Sequence, residues 1–208
     1  MKTVFVNPER CIGCRQCEFA CAVEHSRSHD PVQALYETPP PRKRIHVEPG
    51  PLYNTSFPNR CRHCDPAPCE QVCPTGAIYR DTELDLVLLE AGKCIACAMC
   101  AMVCAFDALT YHPVANGMGP HVVAIKCDGC VDRVRRGEEP ACVEACKTSA
   151  LVFGELNALV KAARLRDTRA TLAATTLQEP TAPSAPGTVA GWRAWGRAAT
   201  HVAAGGVA

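Results

Sequence analysis

The chain has 208 residues, a formal net charge of +1 and 16 cysteines, about 8 per cent of its length. A charge so near zero argues against a dedicated nucleic-acid binder or a polybasic membrane anchor. Hydrophobic residues make up 48% with the cysteines counted among them and aromatics only 5%, so side-chain burial alone leaves a thin core and something else must help hold the fold.

The opening MKTVFVNPERC reaches Asn7, Glu9 and Arg10 before any export-signal core develops, which predicts a cytoplasmic, reducing location. A strand is predicted at residues 3–6. Residues 22–60 carry Pro39, Pro40, Pro41, Pro49, Pro51 and Pro58 and the basic run Arg42, Lys43, Arg44, and read as an inserted surface loop. Hairpins are predicted from residues 77–79 with 86–89 and from 109–111 with 121–125, and a last strand at 150–153. The apolar run 94–106 has 13 residues, too short for a membrane span of about 20. Residues 155–179 have helical periodicity, with Leu156, Leu159, Val160 and Ala163 on one side, and are expected to pack on the preceding module. Residues 180–208 read as a proline-rich linker and a tail placing Trp192, Trp195, Ala199 and Val202 on one helical face, a docking element for a partner.

The cysteines fall into four groups of four: Cys11, Cys14, Cys17, Cys21; Cys61, Cys64, Cys69, Cys73; Cys94, Cys97, Cys100, Cys104; and Cys127, Cys130, Cys142, Cys146. The last two intervals between groups are 33 residues, a solenoid-like period. The content of the repeat rejects a solenoid, because CIGCRQCEFAC and CIACAMCAMVC align cysteine for cysteine and no apolar helix pair recurs. Three chemistries compete. Disulfides suit neither the spacing nor the compartment. Zinc is the serious rival, since four thiolates make its tetrahedral site from two separated knuckles. Here three cysteines at i, i+3 and i+6 sit in one short stretch, twice over, which suits three corners of an iron-sulfur cube. The fourth follows about one helical turn later and points to a neighbouring cube, as in two-cluster ferredoxins.

With these motifs in view, the chain resembles the four-cluster ferredoxin-type electron-transfer subunits of multisubunit oxidoreductases, the beta subunits of molybdenum and tungsten enzymes. CRHCDPAPCEQVCPTGAI (residues 61–78) and KCDGCVDRVRRGEEPACVEACKTSAL (126–151) carry the similarity, with Pro68, Pro74, Gly137 and Pro140. The stretch CAVEHS and the proline-basic loop are similar to the branch serving carbon monoxide dehydrogenase and tungsten-containing aldehyde oxidoreductase. Two positions depart from the pattern: Ala105 and Lys147 stand where the family often has proline.

The resemblance implies an α+β fold of duplicated bacterial ferredoxin-like modules over residues 1–154 with a C-terminal helical tail, and four 4Fe-4S clusters. It implies a nested pairing: Cys11, Cys14 and Cys17 join Cys146; Cys127, Cys130 and Cys142 join Cys21; Cys61, Cys64 and Cys69 join Cys104; Cys94, Cys97 and Cys100 join Cys73. Four oxidised clusters of about two negative charges each bring the loaded chain to about −7. The expected role is a non-catalytic electron carrier between a catalytic oxidoreductase subunit, best a tungsten-containing aldehyde oxidoreductase, and an acceptor or flavin-containing subunit. Carbon monoxide dehydrogenase, formate dehydrogenase and hydrogenase are alternative partners. A free-standing polyferredoxin and a zinc-binding interaction module are alternative classes, and clusters exposed at both ends would permit head-to-tail self-association into a filament. No nucleophile-base pair, GxGxxG or phosphate loop is apparent. Lys147 is expected to ease reduction of the cluster at Cys11, Cys14 and Cys17. His63 is read as a solvated or sulfur-directed imidazole in preference to a ligand, and Arg133, Arg135 and Arg136 as a solvated face or, alternatively, as compensation of cluster charge or a docking patch.

Overall fold

The computed structural model describes residues 2–53, 55–116 and 119–175. Its strands pair two by two, all antiparallel. β1 (Lys2–Val6) pairs with β8 (Leu151–Glu155), so the two ends of the cysteine-bearing region close on each other, with Val4 opposite Phe153. β2 (Ile45–Pro49) pairs with β3 (Ser56–Arg60), β4 (Ile78–Asp81) with β5 (Leu86–Leu89), and β6 (Leu109–Asn116) with β7 (Gly119–Lys126). Helices are short and tied to the cysteine motifs: α1 (Gln16–Glu24), α2 (Pro68–Gln71), α3 (Met99–Met102), α4 (Val131–Arg135) and α5 (Ala141–Glu144).

A two-stranded ribbon is marginal alone and needs a face to pack on. Here that face includes sulfur. One buried group joins Val4, Ile45, Val47 and Leu151 to Cys17, Cys21 and Cys142; α1 packs on α5 within it. The other joins Ile78, Val87 and Ala124 to Cys100, with Cys69, Cys73 and Cys94 at its border, and α2 packs on α3. The first and fourth motifs thus share one core and the second and third share the other, an α+β duplication of the ferredoxin-like kind.

The stretch 22–60, expected as a surface loop, departs from that reading. Its last third is the β2–β3 hairpin, and Ile45 and Val47 are core residues. Proline here does not mark a loop: Pro58 is fully buried in β3 opposite Val47. A two-stranded ribbon has an outer edge on each strand, where proline's missing N–H costs no ladder bond. The other strands start and stop within a few residues of the expected positions, and the β6–β7 hairpin is longer.

Residues 1–160 and 161–208 form two units. In the first, the opening turn of α6 (Leu156–Thr175) lies on β8, where a Cβ on Gly154 would meet Leu159 at 3.7 Å. Of the second, the structure describes the rest of α6, which presents Leu165 and Leu172 to solvent. The expected proline-rich linker and the tryptophan tail with Trp192 and Trp195 lie outside the described residues. Among the described residues, no helix is long and apolar enough to cross a membrane.

Candidate functional site

Each cysteine motif opens with the same backbone turn. The third residue of all four motifs has left-handed backbone: Gly13 (φ 69), His63 (φ 50), Ala96 (φ 55) and Gly129 (φ 72). This conformation curls the loop, and it turns the N–H groups of His63 and Gly129 back toward the first sulfurs, His63 N–H to Cys61 Sγ at 3.4 Å and Gly129 N–H to Cys127 Sγ at 3.4 Å. Such concave runs of N–H groups suit an anion. Three motifs also close alike: left-handed Gly76, Asp107 and Ser149 each follow the fourth cysteine by three residues and donate their N–H to its carbonyl at 3.2–3.4 Å. Ala105 and Lys147, lacking the proline found at Pro74, therefore make the same turn.

The fold brings cysteines of different motifs beside one another. Burial pushes the Cys17 thiol up to about 11, with the Cys146 and Cys11 sulfurs adding to the rise. Burial, then Cys127, raise Cys130 to about 12, and the same environment raises Cys21 and Cys142, whose charged neighbours include Cys127 and Cys130. Cys69 is raised by burial and by Cys61 and Cys104. Cys73 lines one small cavity with Cys94, Cys97 and Cys100. Packed thiols that resist ionisation need a strongly charged metal group before they become thiolates, and its binding releases their protons. All sixteen are unbridged, and Cys14 and Cys97 are the exposed ones.

Polar groups around the sulfurs divide by position. Ser56 Oγ lies 3.2 Å from Cys11 Sγ, Tyr111 Oη 3.2 Å from Cys100 Sγ, and Thr75 and Thr148 hydroxyls 3.7 Å from Cys73 and Cys146. Arg60 and Lys126 face the first cysteines of two motifs: Arg60 Nη1 is 3.8 Å from Cys127 Sγ and Lys126 Nζ 3.7 Å from Cys61 Sγ. The sequence reading missed both, although each directly precedes the first cysteine of a motif. Adjacency gave no usable signal, because Arg10 and Lys93 precede Cys11 and Cys94 in the same way and are exposed.

His63 is not solvated. It is buried, its Nδ1 accepts the Val87 N–H at 3.1 Å, and its pKa falls to about 3, first from burial and then from Lys126 and Arg60. The ring is neutral, so Nε2 carries the proton. Arg133, Arg135 and Arg136 do not form an open basic patch. Arg133 pairs with Glu24, Glu138 and Glu144, Arg135 with Asp81 and Glu83, and Arg136 with Glu138. Lys147 is exposed.

Two stretches, residues 10–78 and 52–156, each match the 4Fe-4S dicluster domain. An iron-sulfur protein of Rhodospirillum rubrum is 41% identical over 173 residues, covering 80% of this chain and 88% of that one. The electron transport protein HydN of Escherichia coli K12 is 38% identical over 165 residues, with 75% and 89% covered. The thiosulfate reductase electron transfer subunit PhsB of Salmonella typhi is 37% identical over 152 residues, with 72% and 73% covered. The chain belongs to the 4Fe-4S dicluster ferredoxin-type family of electron-transfer subunits. In this family the polypeptide carries electrons and leaves substrate chemistry to others.

The sixteen cysteines fit the four 4Fe-4S clusters of two dicluster domains. Two further features suit such groups. Arg60 Nε and His63 Nε2 are buried N–H donors without a protein partner, and sulfides are acceptors for donors of this kind. Clusters also account for cores in which cysteine sulfur stands beside valine and isoleucine: the inorganic cube replaces side-chain volume.

Proposed function

We propose that the chain is a four-cluster wire whose ligand sets are Cys11, Cys14, Cys17 with Cys146; Cys21 with Cys127, Cys130, Cys142; Cys61, Cys64, Cys69 with Cys104; and Cys73 with Cys94, Cys97, Cys100. The first and second sets exchange their fourth cysteines, as do the third and fourth. Arg60 and Lys126 bridge the second and third sets. The order along the wire is therefore the order in which they are named. The observation that carries this reading is that the exposed cysteines Cys14 and Cys97 fall one in each terminal set. Exposed apolar side chains flank them, Ile12 beside Cys14 and Ile95, Met99 and Met102 around Cys97, which gives a donor and an acceptor each a place to dock.

The clusters supply one-electron redox capacity, and the chain's residues hold them in series, shield the middle and expose the ends. The names of HydN and PhsB support a place in an electron-transport or oxidoreductase assembly. Within that class, the CAVEHS stretch and the proline-basic loop favour a tungsten-containing aldehyde oxidoreductase as the catalytic partner, with carbon monoxide dehydrogenase, formate dehydrogenase and hydrogenase behind it. Anaerobic purification of the native complex and identification of its largest subunit tests the partner. Iron and acid-labile sulfide in the amounts of four clusters test the wire, and zinc without sulfide would overturn it. Ile12→Lys and Ile95→Lys should slow electron transfer at opposite ends of the wire, one with the catalytic subunit and the other with the acceptor, while leaving cluster content unchanged.

A further inference from the structure

We propose that Arg60 and Lys126 are a crossed pair of positioning cations that set the reduction potentials of the two inner clusters, each acting on the cluster of the other's motif. The inference rests on the ligand sets proposed above. Arg60 precedes Cys61 in sequence but directs Nη1 to Cys127 Sγ at 3.8 Å; Lys126 precedes Cys127 but directs Nζ to Cys61 Sγ at 3.7 Å. Carbonyl oxygens fix both side chains. Arg60 Nη2 donates to Val4 O at 2.9 Å, and Lys126 Nζ donates to Cys127 O at 2.9 Å and to Val87 O. The crossing thus belongs to the fold and not to a free rotamer.

Charge accounting points the same way. Arg60 is 2% exposed and Lys126 4%. Among the described residues neither has a carboxylate in ion-pair range. Two buried cations without an acidic partner would be costly in a neutral interior. Anionic groups held by Cys61 and Cys127 supply the missing countercharge. The outer sets, by contrast, receive hydroxyls from Ser56, Tyr111, Thr75 and Thr148. A one-electron reduction adds one negative charge at the cluster, with no bond made or broken and no proton moved at either side chain. A fixed cation at the sulfur favours the reduced form.

The test is a potentiometric titration of the full-length, anaerobically loaded protein by paramagnetic resonance. Signals are assigned beforehand by Cys69→Ser for one inner cluster and Cys142→Ser for the other. In Lys126→Met the reduced-to-oxidised ratio of the cluster assigned through Cys69 should fall about tenfold at fixed potential, about 59 mV for a one-electron couple. The cluster assigned through Cys142 should move less. Arg60→Met should do the reverse, and the charge-keeping Lys126→Arg and Arg60→Lys should stay near wild type. Unchanged ratios, or a larger shift on the cluster of the variant's own motif than on the other, would overturn the proposal. Should Lys126→Met lose clusters, Lys126→Gln keeps bonds to the carbonyls and reads the charge alone. If neither neutral variant loads, loading of Lys126→Arg supports the countercharge argument and its failure sinks it. Zinc, or too little iron and sulfide in the wild type, would instead sink the four-cluster reading.

Discussion

His63 and Gly129, the third residues of the second and fourth motifs, meet where the two modules touch: a Cβ on Gly129 would stand 3.6 Å from His63 Nε2. It would also stand 3.0 Å from both terminal methyls of Leu86, and Gly129 has φ +72. Gly129→Ala therefore meets a backbone penalty and a tight contact together. Gly76 has φ +64 but nothing within 4 Å of its position, so Gly76→Ala meets the backbone penalty alone, about 1 kcal/mol. Gly129→Ala should be the more destabilising by about another 1–2 kcal/mol, as overpacking usually costs. Thermal loss of the cluster absorbance in the two variants checks the order; equal loss would mean that Leu86 yields freely.

The proposed crossing of the fourth cysteines makes a second prediction. Cys73 closes the motif that begins at Cys61, yet it lines a cavity with Cys94, Cys97 and Cys100. Cys73→Ala should remove or convert the cluster of the third motif, reducing iron and sulfide by up to one cluster. The signal assigned through Cys69 should remain. Loss of that signal instead would show that the motif keeps its own fourth ligand.

The chemistry was legible in the sequence because cluster ligation needs cysteine at fixed spacing, and no other residue type blurs that signal. The β4–β5 hairpin was legible because Leu86 to Leu89 is an apolar run after a polar turn, and the β6–β7 hairpin because Leu109 to Tyr111 and Val122 to Ile125 carry strand-forming residues. Three features were not. The pairing of β1 with β8 joins residues some 150 positions apart in the chain, beyond any local pattern. The β2–β3 hairpin hid behind Pro49 and Pro58, because composition cannot tell a proline on a ribbon's outer edge from one in a loop. The burial of Arg60, His63 and Lys126 depends on where the modules meet, so no local pattern marks His63 as buried, with Nδ1 on the Val87 N–H and Nε2 left for a sulfur.

Within the same 22–60 stretch, Glu37 ties a polar turn together. One carboxylate oxygen accepts the Ser28 N–H at 2.8 Å and the other the Arg27 N–H at 3.1 Å. The Arg27 backbone bond, followed by the Ser28 bonds and the Arg27 charge, holds the carboxyl below its ordinary 4.5. A depressed folded value means that the tie is present above the ordinary value and is lost as pH falls through the folded one. Short deuterium pulses from pH 7 to pH 4 should find the Arg27 and Ser28 amides protected until the pH falls below about 4.5, with protection then declining. Glu37→Gln should exchange faster at pH 7 and lose that dependence. A pH-independent wild type would show that the loop is held by its other contacts.

Lys147 offers the counterpart to the buried cations. It directly follows Cys146 and so carries positive charge near the cluster of Cys11, Cys14 and Cys17, but it is exposed. Water and salt weaken such a charge: the screening length is about 10 Å at 0.1 M and about 3 Å at 1 M ionic strength. Lys147→Ala should therefore lower the potential of that terminal cluster by less than the loss of Lys126 lowers its inner one. The difference from wild type should shrink as salt is raised, whereas the Lys126→Met shift should hold. Titrations of both variants at low and high salt separate the two cases. A salt-independent Lys147 effect would mean that the ammonium reaches a sulfur, and unchanged potentials at every cluster would mean that solvent cancels it altogether.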